Sequence, residues 1–294
     1  MIAIRSIFLG HDGLRAGWRF AAFFLFWRLG DYVVPFVLDP VYTFSDSGFT
    51  PADILVYKLA DAAYLFAISV LLVRLEKHRT SWFGLGFARG SAWRFAEGCV
   101  WGFAPVTLVM AAAWAAGFVH VDGLALHGAA FWNFLALWLA GMLMVGLDEE
   151  LQFRGYAMAS LTRGIGFWPT AVLLSLAFGA DHMSKPDENV PDILNIVLLG
   201  LFVAYSVRRT GDLWFAIGFH AAFDFFALAF YGSPNTGTGG LPLDHHLLDT
   251  HIAGPAWLTG GPQGLEASWL MTALTLAMFL LLHRRYPRNA YPTD

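Results

Sequence analysis

Long apolar runs separated by short polar connections dominate this chain. Eight runs read as candidate membrane-spanning helices: 16–38, 54–74, 96–118, 130–147, 168–183, 191–207, 213–231 and 267–283. A spanning helix needs about 20 largely apolar residues. The fifth and sixth runs are short, which implies tilt, shielding by neighbours or displaced boundaries. The expected fold class is an all-α polytopic membrane helix bundle of about eight transmembrane helices. Residues 1–294 read as a single integral membrane domain, without repeats, low-complexity tracts or interdomain linkers. The opening MIAIRSIFLGHDGLR lacks the apolar core of a cleavable signal peptide, so the first hydrophobic helix reads as retained.

Composition agrees with that pattern. Hydrophobic residues make up 57% of the 294 and charged residues 14%, with a mean hydropathy of +0.55. Soluble domains carry about 25% charged residues, so this chain lacks the polar surface to cover itself in water. A net charge of −4 argues against a nucleic-acid partner, which needs a concentrated basic face. The lone Cys99 precludes an intrachain disulfide or a cysteine metal cluster. It sits in an apolar run and reads as packing.

The cations test the span map independently. Arg5, Arg15 and Arg19 precede or open the first run, and the first connection has no Lys or Arg. The second carries Arg74, Lys77, Arg79, Arg89 and Arg94, the third none, the fourth Arg154 and Arg163, and the fifth only Lys185. Arg208 and Arg209 fill the sixth, the seventh (232–265) has none, and Arg284, Arg285 and Arg288 follow the last run. Rich and poor connections alternate, so the positive-inside rule predicts cytoplasmic N- and C-termini. It also makes 232–265 an extracytoplasmic loop. A multi-pass membrane location follows as an expectation.

Ionisable groups at membrane depth cost roughly 2.5–3.5 kcal/mol or more each, so those present need a reason. Asp148, Glu149, Glu150 and Arg154 follow FLALWLAGMLMVGL without a helix stopper, which puts them near that helix's cytoplasmic end. Glu150 and Arg154 are spaced to pair at i, i+4, while Glu149 points elsewhere without a local partner. Phe178 and His182 share a face at the end of TAVLLSLAFGA. His220 and Asp224 share a face inside LWFAIGFHAAFDFFALAF. Each has a bland explanation: a solvated helix end, a packed imidazole, a structural His–Asp bond. Lys58 and Asp61, like Arg28 and Asp31, lie nearer helix ends, where snorkelling accounts for the cations; no chemistry is assigned to them. Three helices that each bring acid or imidazole groups nonetheless suit a shared polar cavity. Glu plus His can activate water as a general base, and a second His with a carboxyl neighbour can stabilise an oxyanion. With no Ser or Cys nucleophile in evidence, amide or ester hydrolysis by activated water is the natural reaction class.

Three motifs in order on successive membrane helices resemble the CPBP family of CAAX prenyl proteases and bacteriocin-processing enzymes, the former Abi group. They are EExxxR (Glu149, Glu150, Arg154), FxxxH (Phe178, His182) and HxxxD (His220, Asp224). The neighbouring FRGYAMASL and GDLWFAIGFHAAFD are also similar, and the resemblance covers about 140–231, read as a catalytic core. It implies an intramembrane endopeptidase and, from the bacterial form of the motifs, a multi-pass place in the cell (inner) membrane. Glu149 would be the general base with His182 beside it. His220 and Asp224 would serve the oxyanion, and Glu150, Arg154 and Phe178 would have supporting roles. Eukaryotic members usually carry Asn where this chain has Asp224, and a protonated Asp could still donate.

The resemblance leaves a metal open. Glu149, His182 and His220 could hold Zn²⁺ with an open water position, but there is no HExxH. The preferred reading is a glutamate mechanism with no cofactor. Asp244, His245, His246, Asp249 and His251 look metal-like too, but read as a solvated loop. Expected partners are the lipid bilayer and a membrane-associated peptide or protein, cut near its membrane-proximal or lipid-modified end. Glu149 near the cytoplasmic face suggests cleavage on that side. A proton-coupled transporter and a catalytically silent membrane scaffold remain as alternatives.

Overall fold

The computed structural model describes residues 7–10, 13–46, 50–183, 190–234 and 240–291. Arg5 and Lys185, two cations of the charge alternation, lie outside these. The helices are α1 (Ala16–Leu38), α2 (Pro51–Leu75), α3 (Ser91–Ala115), α4 (Gly128–Phe153) and α5 (Tyr156–Ile165). They continue with α6 (Phe167–His182), α7 (Val190–Thr210), α8 (Trp214–Asp224), the one-turn α9 (Ala256–Thr259) and α10 (Trp269–Arg285). α8 runs on as a π-helical stretch, Phe225–Phe230. The molecule is an all-α polytopic bundle, and each of the eight apolar runs coincides with a helix. Among the described residues, five helices are long and apolar enough to cross a bilayer: α1, α2, α3, the near-continuous α4–α5, and Asp192–Thr210 of α7. α6 and α10, with 16 and 17 residues, are shorter.

Among the described residues, two small antiparallel pairs accompany the helices. β1 (Leu9–Gly10) pairs with β2 (Gly13–Leu14), and β3 (Val119–Leu124) pairs with β4 (Leu248–Ile252), placing Val119 opposite Ile252. The histidine-rich stretch expected as a solvated loop is therefore partly ordered. His251 sits in β4 and faces Asp122 at 3.3 Å, while His245 stacks on Phe134.

Local chemistry fixes where α2 starts. The Asp53 amide donates to Thr50 Oγ1 (3.2 Å) and the Thr50 amide to Asp53 Oδ2 (3.3 Å), a capping box with Pro51 at the first helical position. Asp53 also accepts from the Tyr42 hydroxyl at 3.0 Å and from Ser45, folding the preceding connection onto the helix start.

Small residues let α8 approach its neighbours backbone to backbone. A Cβ on Gly102 of α3 would sit 2.1 Å from the Phe219 carbonyl oxygen, and one on Gly146 of α4 would sit 2.9 Å from the Ala221 amide nitrogen. Close contact of this kind is how apolar helices gain packing energy in lipid, where no hydrophobic force separates helix from solvent. It holds α8 between α3 and α4 on either side of His220.

α5 was not foreseen. It is buried from Tyr156 to Thr162. The Tyr156 hydroxyl donates to Glu76, just past the end of α2, and Gly164 abuts Ala16 at the start of α1. α4 and α5 together thus reach the end of the bundle where α1 begins and α2 stops.

Candidate active site

The three motifs meet. A cavity of about 600 Å³ is lined by Glu149, Glu150 and Arg154 from α4 and by Phe178 and His182 from α6. α8 adds His220 and Asp224.

His220 faces three carboxyl groups. Its Nδ1 lies 2.9 Å from Glu150 Oε1, and its Nε2 lies 3.5 Å from both Glu149 Oε2 and Asp224 Oδ2. Glu150 also receives Arg154 Nη1 at 3.3 Å, with both side chains almost wholly buried. A carboxylate paired with a guanidinium is an acceptor, so Nδ1 donates to Glu150 and Nε2 is left facing Glu149 and Asp224. The i, i+4 pair expected from spacing is present. Its further function of orienting the imidazole was not visible in the spacing. Arg154 Nη2 also donates to the Gly200 carbonyl oxygen at 3.0 Å, anchoring α4 to α7.

Phe178 joins the motifs. Its ring packs 5.1 Å from Phe153, 4.7 Å from His182 and 6.2 Å from His220, with the Arg154 guanidinium 4.9 Å from its centroid. His182 Nδ1 lies 3.0 Å from the Phe178 carbonyl oxygen. A carbonyl only accepts, so Nδ1 carries the proton and Nε2 is the acceptor of the neutral ring.

Sequence reasoning missed Lys58. Its ammonium does not snorkel: Nζ lies 2.8 Å from Asp148 Oδ2 and 3.2 Å from Glu149 Oε1, with the side chain 22% exposed. Gln152 Nε2 donates to Asp148 Oδ2 at 3.2 Å and reaches Asp61 Oδ2 at 3.5 Å. Glu149, read as lacking a local partner, faces a cation from α2 and an imidazole from α8. The available signal was two ionisable residues, Lys58 and Asp61, three apart within an apolar helix. Arg28 and Asp31, expected near a helix end with Arg28 snorkelling, lie mid-way along α1 and pair with each other at 2.7 Å on the exposed surface.

Glu149, His182 and His220, the candidate Zn²⁺ ligands, all line the same cavity. Among the described residues no three His, Cys, Asp or Glu side chains converge as a metal-binding group. His220 commits one nitrogen to Glu150 and turns the other between two carboxyls.

Residues 131–226, which contain all three motifs, match the family described as "Type II CAAX prenyl endopeptidase Rce1-like". This segment, about a third of the chain, is what resembles the CPBP family. The "Uncharacterized protein YyaK" of Bacillus subtilis (strain 168) is 28% identical over 151 residues, 48% of this chain. The match spans about half the length of that curated relative, 50%. No solved structure matches. The matched segment includes Asp148 and Glu149 but not Lys58, so the cation beside Glu149 comes from a helix outside it. The protein thus shares this segment with a family described as endopeptidases, and its five long apolar helices suit a membrane protein.

Proposed function

We propose that the protein is an intramembrane endopeptidase that hydrolyses a peptide bond in a membrane-anchored polypeptide, with Glu149 activating the attacking water. The supporting observation is the posture of His220, whose Nε2 stands 3.5 Å from both Glu149 and Asp224 while Nδ1 is held by Glu150. Glu149 takes a proton as the water oxygen bonds to the scissile carbonyl carbon. The oxyanion that forms is stabilised by His220 with Asp224, while His182, whose Nε2 accepts, orients the attacking water beside Glu149. Collapse breaks the C–N bond, and the proton on Glu149 passes to the leaving amine. Glu150 and Arg154 position His220 and touch no substrate. Residues 140–231 form the catalytic core of a single membrane domain, which crosses the cell (inner) membrane about eight times with both termini cytoplasmic.

A chain of buried and half-buried groups supports a second reading, proton-coupled transport. Asp61, Gln152, Asp148, Lys58, Glu149 and His220 follow one another at 3.5, 3.2, 2.8, 3.2 and 3.5 Å. Buried acids and histidines relay protons in transporters. Proton flux into liposomes that is lost in Glu149→Gln, without any cleavage, would favour it. Absence of both activities would favour the scaffold.

The deciding experiment challenges the detergent-purified protein with membrane-tethered, internally quenched peptides. Wild type cleaves, whereas Glu149→Ala, His182→Ala and His220→Ala do not, and chelator leaves the rate unchanged. Equal cleavage by Glu149→Ala would falsify the assignment.

A further inference from the structure

The cavity that holds Glu149 is closed at one end and open at the other. Its floor includes Glu150, Arg154, Val203 and Phe219, each at most 5% exposed. Beneath it lies buried α5, with Tyr156 bonded to Glu76 and Glu76 paired with Arg19 at 3.5 Å. That layer marks the end of the bundle bearing Arg74, Arg79, Arg89 and Arg163. The remaining wall points the other way. It includes Asp39 just past α1, Phe44 in the next connection, Ile54 in the first turn of α2, and Leu243 and Glu266 before α10. Asp39 is exposed, and Phe44 and Glu266 are partly so. The connections 39–50 and 232–265 contain no Lys or Arg.

Helix geometry agrees on depth. Lys58, which contacts Glu149, lies about 10 Å along α2 from Pro51 and about 25 Å from Leu75, at roughly 1.5 Å per residue. Gly141 of α4 packs beside Pro51, so α4 rises past the start of α2 and carries Glu149 about 12 Å below that level. The reacting groups sit in the half of the bundle nearer the Lys/Arg-poor end. From sequence, Glu149 reads as a group at a cytoplasmic helix end because nothing in the apolar pattern announces α5 beneath it.

We propose that the catalytic cavity is entered from the Lys/Arg-poor face, which the positive-inside rule makes extracytoplasmic. The substrates are then polypeptides that present the scissile bond at the extracytoplasmic end of their membrane anchor. A cytoplasmic tail meets the sealed floor formed by Arg154, α5 and the Tyr156–Glu76–Arg19 cluster. The substrate class rests on the peptidase reading; the direction of entry does not.

Cysteine accessibility tests this on the full chain in a bacterial membrane, without requiring cleavage. Cys99→Ser removes the sole native thiol. Single cysteines then replace Val145 or Tyr57 in the cavity wall, Phe44 at the rim, or Arg89 at the opposite end. A membrane-impermeant maleimide should label Val145→Cys, Tyr57→Cys and Phe44→Cys in spheroplasts, and Arg89→Cys only in inverted vesicles. Labelling of both cavity cysteines from the Arg89 side, or from neither side, overturns the proposal. An unreactive Val145→Cys beside a labelled Tyr57→Cys still supports it, because the second position reads the same cavity. A protein that shows the expected labelling but never cleaves keeps its entrance and loses its peptidase assignment.

Discussion

Lys58 Nζ stands 3.2 Å from Glu149 Oε1 although 91 residues separate the two in sequence. The same ammonium lies 2.8 Å from Asp148 Oδ2, so one cation from α2 serves two adjacent carboxyls of α4. Removing it leaves those carboxyls close together in a poorly hydrated site. Breaking a buried ion pair costs about 3–5 kcal/mol, and the partial exposure of Lys58 lowers the expectation for Lys58→Met to about 2–3 kcal/mol. Lys58→Arg should retain most of the stability. Adding Asp148→Asn to Lys58→Met should recover part of the loss. Denaturant titration in detergent, arranged as a double-mutant cycle, measures the coupling, and additive effects would show that the contact contributes nothing.

The neighbouring glutamates should separate cleanly. Glu149 is placed to act on substrate, so Glu149→Gln should lower turnover by at least about 100-fold, within the range for a lost general base, with little change in thermal stability. Glu150 is buried and holds both Arg154 and His220. Glu150→Gln removes the counter-charge of a buried guanidinium, at about 3–5 kcal/mol, so stability and activity fall together. Melting curves and rates collected on the same preparations check this. A stable but inactive Glu150→Gln would move that residue into direct chemistry.

Asp224 needs a polar atom near His220 Nε2 more than it needs a charge. An Asn amide can both accept from the imidazole and donate to an oxyanion, so Asp224→Asn should keep cleavage within about tenfold of wild type. Asp224→Leu has a similar size and no polar atom, and should lose about 100-fold or more, as when an oxyanion donor is removed. Cleavage of one tethered peptide by all three proteins decides. Equal activity in the Leu variant removes Asp224 from the site.

How much of this was legible follows from where each signal lives. The eight apolar runs emerged as helices because lipid-facing and core-facing residues are both apolar, so length alone marks them. Glu150 and Arg154 were legible because their contact lies within one helix at one turn's spacing. A shared cavity was legible because three helices each carry acid or imidazole groups into lipid, but no periodicity reports which helices adjoin, so only the family resemblance joined the three motifs in one site. Lys58 escaped because a cation's partner on another helix leaves no mark on its own helix, and snorkelling explained the letter equally well. α5 escaped because YAMASLTRGI is short and only moderately apolar; α1 and α6 bury it. The β3–β4 pair joins segments more than a hundred residues apart, beyond the reach of any local pattern.

Two glycine-to-alanine substitutions in helices should move stability in opposite directions. At Gly17, exposed in the first turn of α1, an added Cβ meets nothing within 4 Å. There only intrinsic propensity acts, and Gly17→Ala should be neutral or stabilising by up to about 1 kcal/mol. At Gly102 the same methyl would lie 2.1 Å from the Phe219 carbonyl oxygen and 2.9 Å from the Phe223 amide nitrogen. Backbone cannot swing aside as a side-chain tip can, so α3 and α8 must part. Overpacking of this kind costs about 1–3 kcal/mol, more than the helix-propensity gain offsets. The displacement reaches His220, one residue from Phe219, and with it the 3.5 Å approach to Glu149. Gly102→Ala should therefore lower both the unfolding midpoint in detergent and the cleavage rate, although Gly102 lies outside the cavity wall. Unchanged stability and rate would mean that the α3–α8 contact yields without cost and does not hold the imidazole in place.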